Sequence, residues 1–167
     1  MQLLKPDYIA TSLHEIDLDI LRQKQIRGII FDLDNTIIAW DSPNMQPEIT
    51  DWIQSLLNQN YRICLLSNNM PRRVKEIADY LGVPYVPRAY KPVKTGFRRA
   101  ITELGLNPEE IAVIGDQLFT DILGGNRLNL FTIWVSPLSK NEFFGTKITR
   151  KIEQFTIMVL KAKGVIQ

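Results

Sequence analysis

Apolar residues along the chain fall into two alternating patterns. Five short runs, Gly28–Asp32, Tyr61–Leu66, Val83–Val86, Ile111–Ile114 and Phe131–Val135, are almost continuously apolar, as strands covered on both faces are. Between them the apolar spacing lengthens to three and four residues. Pro47–Asn58 opens on a proline and places Ile49, Trp52, Ile53, Leu56 and Leu57 along one face, which predicts a helix. A second helix is predicted over Pro71–Leu81 with Gly82 as its stop, and a third from about Thr95 to Leu104 stopped by Gly105. Asp116–Asn126 has room for only a short helix before Gly124-Gly125. Helices near Ile16–Gln23 and Lys147–Lys163 flank this unit. The alternation predicts an α/β fold with a mostly parallel five-stranded sheet and crossover helices. No repeat, low-complexity tract or linker interrupts it, so residues 1–167 are expected to form one domain.

Composition narrows the class. A chain of 167 residues, 45% of them hydrophobic, is large enough for one core without disulfides or structural metals. Disordered, collagenous and disulfide-scaffold classes are excluded. A net charge of +2 is too even for a protein that coats a nucleic-acid backbone, and no nucleic-acid partner is expected. The single cysteine, Cys64, lies within the apolar run Arg62-Ile63-Cys64-Leu65-Leu66 and reads as a small core residue in a reducing compartment. The N-terminus lacks the pattern of a signal peptide, and no window approaches the roughly 18 apolar residues of a membrane span. A cytoplasmic chain is expected. Its basic excess is concentrated at the C-terminal end, where Lys140 to Lys163 holds six basic residues against Glu142 and Glu153.

In an open parallel sheet, ligands bind beyond the carboxyl ends of the strands. The first predicted strand runs into Asp32-Leu33-Asp34-Asn35-Thr36, two carboxylates one residue apart. The second ends in Ser67-Asn68-Asn69 just before the helix start at Pro71, where a hydroxyl and free backbone N–H groups suit an anion such as phosphate. The fourth ends in Gly115-Asp116, with Asp121 five residues on, and Lys91-Pro92 after the third offers a cation. Aspartates clustered in this way repel one another unless a hard cation binds them, and all-oxygen donors of this kind suit Mg2+. With the metal bound, one aspartate can attack phosphorus while a neighbour moves protons and Lys91 offsets charge.

The series Asp32-x-Asp34-Asn35-Thr36, Ser67-Asn68, Lys91-Pro92 and Gly115-Asp116-x4-Asp121 resembles, in order and placement, the four motifs of the haloacid dehalogenase (HAD) superfamily. Gly115-Asp116-Gln117-Leu118-Phe119-Thr120-Asp121, followed by Gly124-Gly125-Asn126-Arg127, is similar to the subfamily IIIA branch that includes phosphatidylglycerophosphate phosphatases. Leu4–Asp7 and the basic C-terminal helix resemble that branch too. The resemblance implies a Rossmann-like three-layer sandwich. It also implies that Asp32 is the nucleophile and a Mg2+ ligand, and that Asp34 is the general acid/base with its backbone carbonyl on the metal. Ser67 and the Asn68 backbone would bind the phosphoryl oxygens, and Lys91 would neutralise them. Asp116 would complete the metal shell, and Asp121 would hold Asp116 or a metal-bound water.

The gaps between these motifs admit one helix each with a short strand or loop, leaving no room for a lid, so a capless site is expected. Such a site admits a phosphate carried on something bulky. The expected activity is Mg2+-dependent phosphomonoester hydrolysis, with phosphatidylglycerophosphate as the substrate that the branch resemblance implies. A soluble protein, nucleotide or sugar phosphate, and a non-catalytic phosphate-sensing or scaffold role, remain the alternatives. A nicotinamide dehydrogenase is excluded because Asp-Leu-Asp-Asn-Thr stands where a glycine-rich loop is needed. Lys94 is a second candidate for the cation, and Arg72, Arg73 and Arg127 lie near the expected site edge. His14, outside the motifs, reads as a surface or packing residue. The C-terminal helix, with Phe143-Phe144 beside Lys140 and Lys147, is a candidate for peripheral membrane contact.

Overall fold

The computed structural model describes residues 2–139, 156–159 and 162. Six parallel strands form one sheet in the order β1-β6-β5-β2-β3-β4, with β1 Tyr8–Ala10, β2 Gly28–Phe31, β3 Arg62–Leu66, β4 Tyr85–Val86, β5 Ile111–Gly115 and β6 Phe131–Val135. The helices are α1 Leu18–Gln23, α2 Pro47–Asn58, α3 Pro71–Leu81, α4 Lys94–Leu104 and the one-turn α5 Leu123–Asn126, which continues a π-helical turn over Leu118–Ile122. The expected parallel α/β architecture is present, with one correction: the sheet has six strands and not five. The extra strand is β1, whose Tyr8 pairs with Ile133 at the edge of the sheet. Three residues are too few to show an alternation, and β1 is held by contacts distant in sequence. Asp7 accepts from the backbone N–H of Thr132 at 2.8 Å, and the Asn126 amide donates to the carbonyls of Leu3 and Lys5 at 2.9 Å each.

Strand side chains alternate between two cores, as the two-residue period requires. Ile29, Phe31, Ile63, Leu65, Ala112 and Ile114 face α1, α2 and α3, which contribute Leu21, Ile53, Leu56, Val74 and Ala78. Ile30, Cys64, Leu66 and Val113 face the other way, onto Phe97, Ala100 and Leu104 of α4. The result is a three-layer sandwich. Both helix stops expected at glycines are left-handed caps, Gly82 at φ 70° and Gly105 at φ 61°, a conformation that costs other residues energy.

Parallel crossover connections deliver the loops after β2, β3, β4 and β5 to one edge of the sheet. Among the described residues, one helix and its loops separate β2 from β3, and one separates β3 from β4. No helix among them is long and apolar enough to cross a membrane. Of the helix expected over Lys147–Lys163, residues 156–159 and 162 are helical, and Ile157 packs on Leu118 and Ile122. Phe143-Phe144 and all the basic residues of that segment lie outside the described residues.

Candidate active site

Asp32 is the first residue beyond β2 and is 6% exposed. Its backbone N–H still donates to Ile114 of β5 at 2.9 Å, so the sheet itself fixes its position. Behind it the chain turns at Asn35 (φ 62°), whose side-chain oxygen accepts from the Trp40 N–H at 3.0 Å. This tight loop brings the Thr36 hydroxyl under the site, where it donates to Asp32 Oδ2 at 3.2 Å and lies 3.4 Å from Asp116 Oδ1.

Asp116 follows β5 and is fully buried, its carbonyl accepting from the Trp134 indole at 2.9 Å. Asp121, also fully buried, sits in the π-helical turn, where Oδ2 accepts from the Gln117 N–H at 3.1 Å. Gly115 permits this approach. A Cβ there would come within 2.4 Å of the Asp121 carboxyl.

Lys91 reaches into the same buried space, donating to Asp121 Oδ1 at 2.7 Å and to Asp32 Oδ1. Its backbone is clamped by Asn68, whose side chain accepts from the Lys91 N–H at 2.6 Å and donates to its carbonyl at 3.3 Å. Burial on its own would pull the Lys91 ammonium down, but the carboxylates of Asp121 and Asp32 outweigh it and hold the group above its ordinary value. Lys94 instead starts α4.

Asp34 points elsewhere. Its carboxylate accepts from Arg73 Nε at 2.9 Å and from the Asn69 amide at 3.1 Å, while the Arg73 guanidinium lies 5.8 Å from the centre of the Trp40 ring. Ser67, buried at the end of β3, accepts from the Asn69 N–H at 3.0 Å. Asp32, Asp34, Ser67, Asn68 and Lys91 line an open cleft of about 310 Å³ walled by Trp40 and Thr120.

Three carboxylates, from Asp32, Asp116 and Asp121, each offer an oxygen within 4.8 Å of the others. One lysine against three buried carboxylates leaves a surplus of negative charge. Burial, with repulsion from Asp32, pushes Asp121 up to about 6 although Lys91 opposes the shift. Hard oxygen donors at this spacing with uncompensated charge fit a divalent cation.

A family model described as haloacid dehalogenase-like hydrolase matches residues 38–129. The chain belongs to that family. The match begins past Asp34, so the Asp32–Asp34 pair rests on the geometry above. A probable phosphatase, YqeG, of Bacillus subtilis is 39% identical over 162 residues, covering 97% of this chain and 94% of that protein. Phosphatidylglycerophosphate phosphatase 1 of Chlamydomonas reinhardtii is 27% identical over 96% of this chain, which spans 63% of its length. A HAD phosphatase from Thermococcus onnurineus shares the fold at TM-score 0.58 and 16% identity, covering 71% of this chain and 90% of that one. The chain is a phosphatase of the haloacid dehalogenase-like family.

Several neighbours were not assignable from sequence. Thr36 stands within the first motif, but its double contact needs the folded loop. Arg73, one of three site-edge arginines, meets Asp34. Arg72 pairs with Glu76 and Arg127 reaches the Pro92 carbonyl at 3.3 Å. His14 stacks on Trp52, 6.4 Å between ring centres, within the α2 layer.

Proposed function

We propose that this HAD phosphatase hydrolyses a phosphomonoester through an aspartyl-phosphate on Asp32, with phosphatidylglycerophosphate as substrate. The observation that carries the reading is the placement of Asp32. It is a carboxylate fixed by the sheet at the floor of an open cleft, with a buried lysine on one oxygen and two further buried carboxylates beside it.

An oxygen of Asp32 attacks phosphorus and the bond from phosphorus to the leaving oxygen breaks. Asp34, at the cleft wall and protonated at this stage of the cycle, gives that oxygen its proton, and the alcohol departs. Asp34 then takes a proton from water as the water oxygen attacks the aspartyl-phosphate, releasing inorganic phosphate and restoring Asp32. Lys91 offsets the charge spread over the phosphoryl oxygens, and Ser67 with the backbone of Asn68 orients them. Asp32, Asp116 and the Asp34 carbonyl would hold Mg2+, with Asp121 supporting the set and anchoring Lys91. When bound, Mg2+ supplies charge compensation and in-line orientation of the phosphoryl group.

The lipid substrate is supported by the relative described as a phosphatidylglycerophosphate phosphatase and by a cleft open enough for a phosphate on a bulky carrier. The test is phosphate release from phosphatidylglycerophosphate in mixed micelles, against an aryl phosphate and a panel of soluble phosphomonoesters, with Mg2+ or chelator. Preference for the lipid supports the assignment. Hydrolysis confined to soluble esters retains the mechanism and removes the lipid, and no turnover on any ester favours phosphate sensing.

A further inference from the structure

Four of the exposed large apolar side chains, Trp40, Met70, Tyr90 and Val93, lie on the loops that follow β2, β3 and β4 at the edge of the sheet carrying the cleft. Their exposures are 37%, 58%, 69% and 51%. Two of these loops are joined: the Arg88 N–H donates to the Asn69 carbonyl at 3.1 Å, and the Arg88 guanidinium approaches the Met70 sulfur at 3.6 Å. Val93 is tied back by its N–H to the Tyr90 carbonyl at 2.9 Å. Residues 67–73 and 88–94, which make up this lip, contain five basic residues and no acidic one. Lys91 and Arg73 of these turn to Asp32 and Asp34, whereas Arg72 is exposed beside Glu76, its ion-pair partner at 3.1 Å, Arg88 is exposed and Lys94 is partly exposed. Across the cleft, the loop after β2 places Asp41 beside Trp40.

We infer that this lip is a docking face for an anionic bilayer, with Met70, Tyr90 and Val93 entering the headgroup layer and Arg72, Arg88 and Lys94 meeting lipid phosphates. The inference rests on the lipid-phosphate reading of the cleft and states how such a substrate is reached. Exposed apolar side chains interleaved with cations are what an interfacial anchor requires, and the basic excess of residues 67–73 and 88–94, with Glu76 beside Arg72 as the nearest exposed acid of α3, gives the lip the charge opposite to the bilayer. Because the lip borders the cleft, a docked molecule faces its opening to the headgroups, so a lipid phosphate enters without leaving the membrane.

The experiment is co-sedimentation of the full chain with vesicles of phosphatidylcholine alone or mixed with phosphatidylglycerol, beside hydrolysis of a soluble aryl phosphate. The wild type binds the mixed vesicles and much less to the neutral ones. Two variants, Met70→Ser with Tyr90→Ser, and Arg72→Glu with Arg88→Glu, bind the mixed vesicles roughly tenfold or more weakly while retaining aryl phosphate hydrolysis. Absence of wild-type binding overturns the docking face, as does undiminished binding by both variants, which places any membrane contact elsewhere in the chain. These vesicles contain no phosphomonoester, so that failure is separate from failure of the substrate assignment, which only the lipid hydrolysis assay reads.

Discussion

At the scale of single residues, the site depends on a few buried charges, Asp32, Asp116 and Asp121 against Lys91. Asp121 has a pKa raised to about 6 in the folded chain, against about 3.9 for an unfolded aspartate. A raised carboxyl pKa contributes stability that is complete below the unfolded value and is lost as pH rises through the folded one. Without metal, Asp121 therefore makes the fold more stable as pH is lowered from 7 towards 5, and in Asp121→Asn that contribution disappears. Chemical denaturation of both proteins in chelator across this range measures it. Gly115→Ala tests placement, since the new Cβ meets the Asp121 carboxyl at 2.4 Å. The substitution displaces Asp121 and with it the second contact of Lys91, so kcat falls at least about tenfold. Steady-state kinetics alongside a circular dichroism spectrum separates this from unfolding.

Between elements, α4 and α5 carry the side of the sheet opposite α1 to α3. Phe97 is fully buried between Ile30, Val113 and the α5 backbone, and a Cβ on Gly124 would come within 2.2 Å of its ring. Phe97→Ala should cost about 3–5 kcal/mol, because the close-packed sheet and α5 cannot collapse into the space. Urea unfolding measures the loss. This scale also shows what a sequence can and cannot disclose. Pro47–Asn58 and Pro71–Leu81 are helices at the boundaries that their prolines and apolar spacing indicate, and α4 starts one residue before Thr95. Those signals are local. The sixth strand has none, being three residues held by partners more than 120 positions away. The turn after Asp116 was legible as short, but its π-helical form, in which the Ile122 N–H reaches the Gln117 carbonyl at 3.4 Å while Asp121 accepts from the Gln117 N–H, has no local signal. The aspartates of the cleft could be read because each follows a strand end. The contact of Arg73 with Asp34 links two loops and has no pattern of its own in the sequence.

The whole molecule is arranged so that one sheet edge collects three buried carboxylates and a lysine below an open cleft, with a cationic, apolar lip beside it. Such a charge surplus would couple the binding of a divalent cation to folding. Mg2+ at 100 times its dissociation constant should stabilise the chain by about 2.7 kcal/mol, and Asp116→Asn should abolish most of that gain. A thermal melt with and without chelator detects it. The central claim is covalent: the phosphoryl group passes through Asp32. The most direct test is mass spectrometry of the protein acid-quenched during turnover with Mg2+, alongside the turnover of Asp32→Asn. A phosphoryl group on the peptide containing Asp32, and loss of turnover in the variant, is the result predicted. An Asp32→Asn protein that still releases phosphate, with no phosphoryl group on that peptide in the wild type, would contradict it.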